Sequence, residues 1–330
     1  MRAPDPAGGQ PFPGVPVNRV ANVAEPGTAD PVLRALRPLM PAGVTRGEVR
    51  RDGRVIRWVE SGRGEPVVVL DAPAAEPGSL AWAGIMPLVA AHTRVVAYDR
   101  AGIGDSDPVP ALTLDAQLGD LTAVIQAAAA GRSAVVAGHS WGGLLAQLVA
   151  LSHPELVSGL VLLDPADENY LAAPPGLSEG IAMGEQVLAQ YASGELPGTV
   201  RDAFGTYARR LTSDPQVQKL ILDAYVRSYA KRTQAAMVQD EHQLIADSLT
   251  TIQQRRAKSP ALTVPVILFS ATTGQPQPDR ERYTAYHAAL IESLPAGQHV
   301  VLPDTTHAMN QERPTELAEA IISLLGLPAH

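Results

Sequence analysis

The chain has 330 residues, 45% hydrophobic and 18% charged, enough to bury a large core as one α/β domain with an insertion or as two domains. A formal net charge of −8 argues against nucleic acid as a partner, and the absence of cysteine excludes disulfides, thiolate metal sites and a cysteine nucleophile. No apolar run reaches the roughly 20 residues needed to cross a bilayer, so no membrane partner is expected.

Residues 1–28 are rich in proline, glycine and alanine and read as a flexible arm, a candidate contact for a homodimer. They carry no apolar core of the signal-peptide kind, so a cytoplasmic location is the default expectation. A short proline-bounded helix is expected over 29–40. Gly47-Glu48-Val49-Arg50-Arg51 and the run from Arg54 to Glu60 alternate like strands around an Asp52-Gly53 hairpin turn. Pro66-Val67-Val68-Val69-Leu70 and Arg94-Val95-Val96-Ala97-Tyr98 are continuous apolar runs, as expected of strands buried on both faces. A helix is expected over 81–92 between them and another over 114–130.

Next comes Ala134-Val135-Val136-Ala137, then Gly138-His139-Ser140-Trp141-Gly142-Gly143, then apolar residues at helical spacing through Leu151. The reading is strand, tight turn, helix, with Ser140 at the turn. That context makes G-x-S-x-G a nucleophile elbow. Small residues flank the serine so that strand and helix can approach closely.

Gly159 to Leu163 is another buried strand. Residues 167–258 carry no strong strand signal and hold helical stretches such as 181–191, 217–229 and 235–248. Strands resume at 265–269 and 299–302, with a helix over 280–294 between them and a closing helix over 314–325. Alternation of this kind implies a mostly parallel sheet covered on both faces.

With these elements in this order, the chain resembles the α/β-hydrolase superfamily over about residues 45–327. The resemblance implies an α/β fold: a mostly parallel, doubly wound sheet of the α/β-hydrolase type with an inserted helical cap. Residues 29–166 and 259–330 would form the core and 167–258 the cap. Asp99 to Asp107 is similar to the family's loop after its strand, with Asp99 and Arg100 expected to brace it.

A serine hydroxyl needs a base within hydrogen-bond reach. The resemblance places that base in the loop after the last strand, where His307 stands. His92, His242, His287 and His299 are expected on helix or strand surfaces, and Asp240-Glu241-His242 on a solvated face. A carboxylate must then orient the base. The family's commoner acid follows the strand at 265–269, but the chain reads Ser270-Ala271-Thr272-Thr273-Gly274-Gln275-Pro276 there, with no acid until Asp279. A second placement, at the end of the strand after the elbow helix, is filled by Asp164. The expected triad is therefore Ser140, Asp164 and His307, with Asp279 in reserve and Asp167 or Glu168 as further options.

Oxyanion donors are expected from the amide of Trp141 and from the loop Asp71-Ala72-Pro73-Ala74-Ala75-Glu76. Pro73 has no N–H, so Ala74 is the nearest donor. Trp58, Trp82 and the aromatics Tyr191, Phe204, Tyr207, Tyr225 and Tyr229 are expected to pack in the interior. The leading expectation is a serine hydrolase cleaving an ester, lactone or amide of a small to medium apolar substrate through an acyl-enzyme, with no cofactor and no metal. The altered loop at 71–77 keeps open a cofactor-free, non-hydrolytic enzyme that cleaves or forms carbon–carbon bonds, and the missing acid after Phe269 keeps open a non-catalytic binding protein.

Overall fold

A computed structural model describes residues 30–326 apart from Pro175 and Pro260. The arm at 1–28 lies outside the described residues. Eight strands form one sheet: β1 (Thr45–Arg51), β2 (Arg54–Ser61), β3 (Val68–Asp71), β4 (Val95–Tyr98), β5 (Ala134–His139), β6 (Val157–Leu163), β7 (Val266–Ser270) and β8 (Gly297–Val301). Their spatial order is β1-β2-β4-β3-β5-β6-β7-β8, with β1–β2 and β2–β4 antiparallel and every other pair parallel. The Asp52-Gly53 turn has φ of 51° and 77°, the double left-handed geometry that matches strand twist in a two-residue hairpin.

Side chains alternate across the sheet, as strand geometry requires. Val68, Leu70, Val95, Ala97, Val135, Ala137, Val161 and Leu163 enter one apolar layer. Their neighbours Val67, Val69, Val96, Tyr98, Val136, Leu160 and Leu162 enter the other. Both faces are thus buried, which is why the strands read as unbroken apolar runs.

The long helices are α1 (Leu114–Ala128), α2 (Trp141–Ser152), α3 (Ser178–Ser193), α4 (Leu196–Leu211), α5 (Pro215–Tyr229), α6 (Arg232–Lys258), α7 (Gln277–Glu292) and α8 (Pro314–Ser323). Helices α3 to α6 are inserted between β6 and β7. Thr113 caps α1 by accepting from the Ala116 amide, and Asp214 caps α5 by accepting from the Gln216 amide. Among the described residues no helix is long and apolar enough to cross a membrane.

Two readings of the sequence are corrected here. The single helix expected over 81–92 is two short turns, Gly78–Ala81 and Met86–Ala90, because Pro87 cannot donate to the preceding turn. Helix α4 was not expected. Its apolar stripe of Leu196, Val200, Tyr207 and Ala208 has clear helical spacing, but Pro197, Gly198 and Gly205 are weak helix formers and mask it.

Candidate active site

Ser140 joins β5 to α2 with φ 53° and ψ −119°, a strained conformation costing roughly 1–3 kcal/mol. Backbone bonds hold it there: its N–H donates to Leu163 O at 2.9 Å, and its carbonyl accepts from Ala166 N at 2.9 Å and Leu144 N at 3.2 Å. The turn also needs glycine for close approach. A Cβ at Gly142 would lie 2.5 Å from the carbonyl oxygens of both Asp71 and Ala72. The same contact places the loop after β3 against the start of α2, since Asp71 pairs with Gly138 across the sheet.

Asp164 ends β6 and is fully buried at φ 40°. Its Oδ2 accepts from His307 Nδ1 at 2.6 Å. Its Oδ1 accepts from the Ala271 amide at 3.1 Å. Arg280 on α7 forks onto both oxygens, at 2.9 and 2.7 Å. Burial pushes the Asp164 carboxyl up, but the hydrogen bond and charge of His307, with the Arg280 guanidinium, outweigh it and hold the group below the usual carboxylate range. Because Nδ1 of His307 donates to Asp164, Nε2 is left as the acceptor. The backbone of His307 is held by His139, whose Nε2–H donates to the His307 carbonyl at 2.8 Å. Burial and the nearby His307 push His139 down to about 3, so it is neutral. The structure therefore brings Asp164 and His307 together. Among the described residues the Ser140 hydroxyl makes no hydrogen bond, as in open, unliganded sites where such contacts tighten only around substrate.

The reserve acids lie elsewhere. Asp279 pairs with Arg282 at 3.2 Å in the first turn of α7. Asp167 caps the short helix Glu168–Leu171, and Glu168 pairs with Arg256 at 2.7 Å.

The N–H groups of Trp141 and Ala74 have no partner among the described residues, whereas that of Ala75 donates to Glu241. Arg100 does not brace its own loop, as the sequence suggested. It donates to the Asp71 carboxylate, to the carbonyls of Ala72 and Pro73, and to Glu241. Asp99 does brace that loop, accepting from the amides of Ser79 and Asp105. Glu241 is fully buried and not on a solvated face. It also accepts from Gln117, whose Oε1 accepts from the Trp141 indole at 2.8 Å. One buried network thus fixes the loop after β3, the residue after Ser140 and helix α6.

Glu76 was missed by the sequence reading. Burial pushes it up to about 7, against the hydrogen bond from Tyr225 and the charge of Arg100. Tyr207 and Tyr225 are buried as expected.

His287 is 1% exposed, a correction to its expected surface place. It lies on the inner stripe of α7 with Arg280, Tyr283 and Ile291. Its Nε2–H donates to Pro165 O, so its Nδ1 accepts from the Ser270 hydroxyl, which in turn accepts from His299. Burial lowers His287 from 6.5 to about 4. A group depressed in the folded state contributes stability that is present above its unfolded value and lost as pH falls towards the folded one. Native protein is therefore expected to lose stability relative to His287→Gln as pH falls from 6.5 towards 4, although Glu76 acts in the opposite sense in both proteins. Urea unfolding of the pair at several pH values measures this, and a constant difference would contradict it.

A family model described as the alpha/beta hydrolase family matches residues 62–320. The chain is 32% identical over 120 residues to the 2-hydroxy-6-oxo-6-(2'-aminophenyl)hexa-2,4-dienoic acid hydrolase of Metapseudomonas resinovorans, which covers 36% of this chain and 41% of that one. It is 28% identical over 244 residues to the lipase LipV of Mycobacterium tuberculosis, 70% of this chain and 83% of that one. A solved hydrolase from Pseudomonas aeruginosa superposes with a TM-score of 0.60 at 22% identity, over 84% of this chain and 97% of that one, a likeness of fold alone.

Proposed function

The chain belongs to the alpha/beta hydrolase family, and from that premise we propose that it is a serine hydrolase cleaving an ester, lactone or amide bond of a small to medium apolar substrate. The observation that carries this reading is the 2.6 Å bond from His307 Nδ1 to the buried Asp164, on the sheet that also carries the strained Ser140 turn. The named lipase among the relatives supports an apolar ester.

In this proposal Ser140 Oγ attacks the carbonyl carbon while His307 Nε2 takes its proton. Asp164 orients the ring and stabilises the imidazolium. The oxyanion is received by the amides of Trp141 and Ala74. Collapse expels the alcohol or amine, which takes the proton from His307. Water, deprotonated by His307, then releases the acid and restores Ser140. No metal or organic cofactor enters this sequence. The inserted helices, with their flanking loops at 167–258, act as a cap over the core of 29–166 and 259–330.

The test is labelling by a fluorophosphonate with the modified peptide mapped by mass spectrometry. Stoichiometric modification at Ser140 is expected. No modification there at any pH would overturn the proposal and favour a non-catalytic binding protein. A second reading, hydrolysis of a carbon–carbon bond, is favoured by Pro73 in the oxyanion loop and by the dienoic acid hydrolase among the relatives. Labelling does not separate the two. Turnover of a vinylogous diketone, with simple esters left intact, would establish the second.

A further inference from the structure

Resting on the proposed triad, the structure assigns Arg280 a function of its own: we propose that it is a positioning residue that locks the Asp164 carboxylate in a two-point fork and offsets the carboxylate's charge beside His307. Arg280 and Asp164 are 2% and 0% exposed and form a two-point fork. The guanidinium carbon lies 4.5 Å from the Tyr283 ring centre, and the Tyr283 hydroxyl donates to the Asp164 and Pro165 carbonyls at 3.3 and 2.7 Å. One stripe of α7 therefore fixes both the side chain and the backbone of the acid. Fixing it matters because Asp164 sits at positive φ, where a non-glycine residue has little intrinsic preference to stay.

The electrostatic consequence follows from the charge count. In an isolated Asp–His couple, protonating the ring neutralises a buried anion. Here the anion already faces a buried cation, and Arg280 Nη1 and His307 Nδ1 converge on the same oxygen, Oδ2. A proton on His307 then adds a second positive charge beside the first. The other titratable groups facing the pair do not cancel this. His139 on β5 and His287 on α7 are held neutral by burial, and burial with the Asp164 charge pushes Tyr283 well above its usual value. Asp167, which caps a helix, and Glu312, which accepts from Thr306, stay charged, but they act alike in native protein and in Arg280 variants, so a comparison between these isolates the arginine. His307, with its side chain 44% exposed, meets solvent on its far side. Removing Arg280 would leave the ring beside an Asp164 anion with no other cation on it, the arrangement that favours a proton on the ring.

The test is the pH dependence of fluorophosphonate labelling at Ser140, from about pH 4 to 9, in native protein, Arg280→Met and Arg280→Lys. Circular dichroism checks the fold of each. In Arg280→Met the acid limb should move up by about one pH unit and the plateau rate should fall several-fold. In Arg280→Lys the ammonium keeps the charge but cannot fork, so the limb should stay in place while the plateau falls. A merely structural arginine would lower plateaus without moving the Arg280→Met limb, and that result overturns the inference. Should Arg280→Met not fold, Arg280→Lys decides: a native plateau, or a displaced limb, overturns it. Absence of labelling in native protein would instead remove the triad itself.

Discussion

Ser140→Ala is expected to abolish fluorophosphonate labelling and to lower ester turnover by about a million-fold, the scale seen when a serine nucleophile is removed from a triad. The fold should survive. The hydroxyl makes no hydrogen bond among the described residues, and the strained turn is held by backbone bonds to Leu163, Ala166 and Leu144 that alanine preserves. The unfolding free energy from urea titration should therefore change by no more than the roughly 0.5 kcal/mol of an innocuous substitution. Ser140→Gly sharpens the point. Glycine tolerates φ 53°, so that variant should be as inactive as alanine and yet more stable than the native chain, by about 1 kcal/mol. The strain would then be the cost of presenting the nucleophile. Near-native turnover in Ser140→Ala would sink the serine mechanism.

The sheet and the elbow were legible because their signals are local. Valine-rich runs mark strands buried on both faces, and a glycine-flanked serine between such a run and an apolar helix marks the turn. Asp164 was legible by contrast: no acid follows Phe269 before Asp279, and Asp164 ends the neighbouring strand. Arg280, Glu241 and His287 were not. Charged residues on a helix read as solvent-facing, and only tertiary context tells when one is paired inside. A faint signal was present. Arg280, Tyr283, His287 and Ile291 recur at helical spacing, a stripe that mixes polar with apolar groups and faces the interior. Such a stripe beneath a strand-end aspartate is a pattern that sequence reading can look for. Arg100 shows the opposite limit. Its neighbour Asp99 binds locally and was placed correctly. Arg100 reaches across to the loop after β3 and to Glu241 on α6, contacts that no sequence spacing encodes.

Asp164→Asn is expected to lower kcat/KM by about ten-thousand-fold, whereas Asp279→Asn should change it little. The amide can offer only one oxygen where the carboxylate offers two. Arg280 donates to both oxygens and His307 to one of them, so some donor must face the amide nitrogen. If His307 does, its Nδ1 becomes the acceptor and Nε2 carries the proton, the wrong tautomer for a base. Asp279 only pairs with Arg282 across one helical turn, an exposed contact of the kind worth about 0–1 kcal/mol. Stability separates the two effects. The Asp164→Asn change also strands the buried Arg280 cation, a loss of about 3–5 kcal/mol when one partner of a buried pair is removed. Adding Arg280→Met removes that orphan charge and should recover much of the stability without recovering turnover. Urea unfolding and ester hydrolysis, run on the two single variants and the double, read these outcomes independently. Loss of activity on Asp279→Asn, with Asp164→Asn still active, would transfer the acid to Asp279. Recovery of turnover in the double variant would show that Asp164 served the fold and not the histidine.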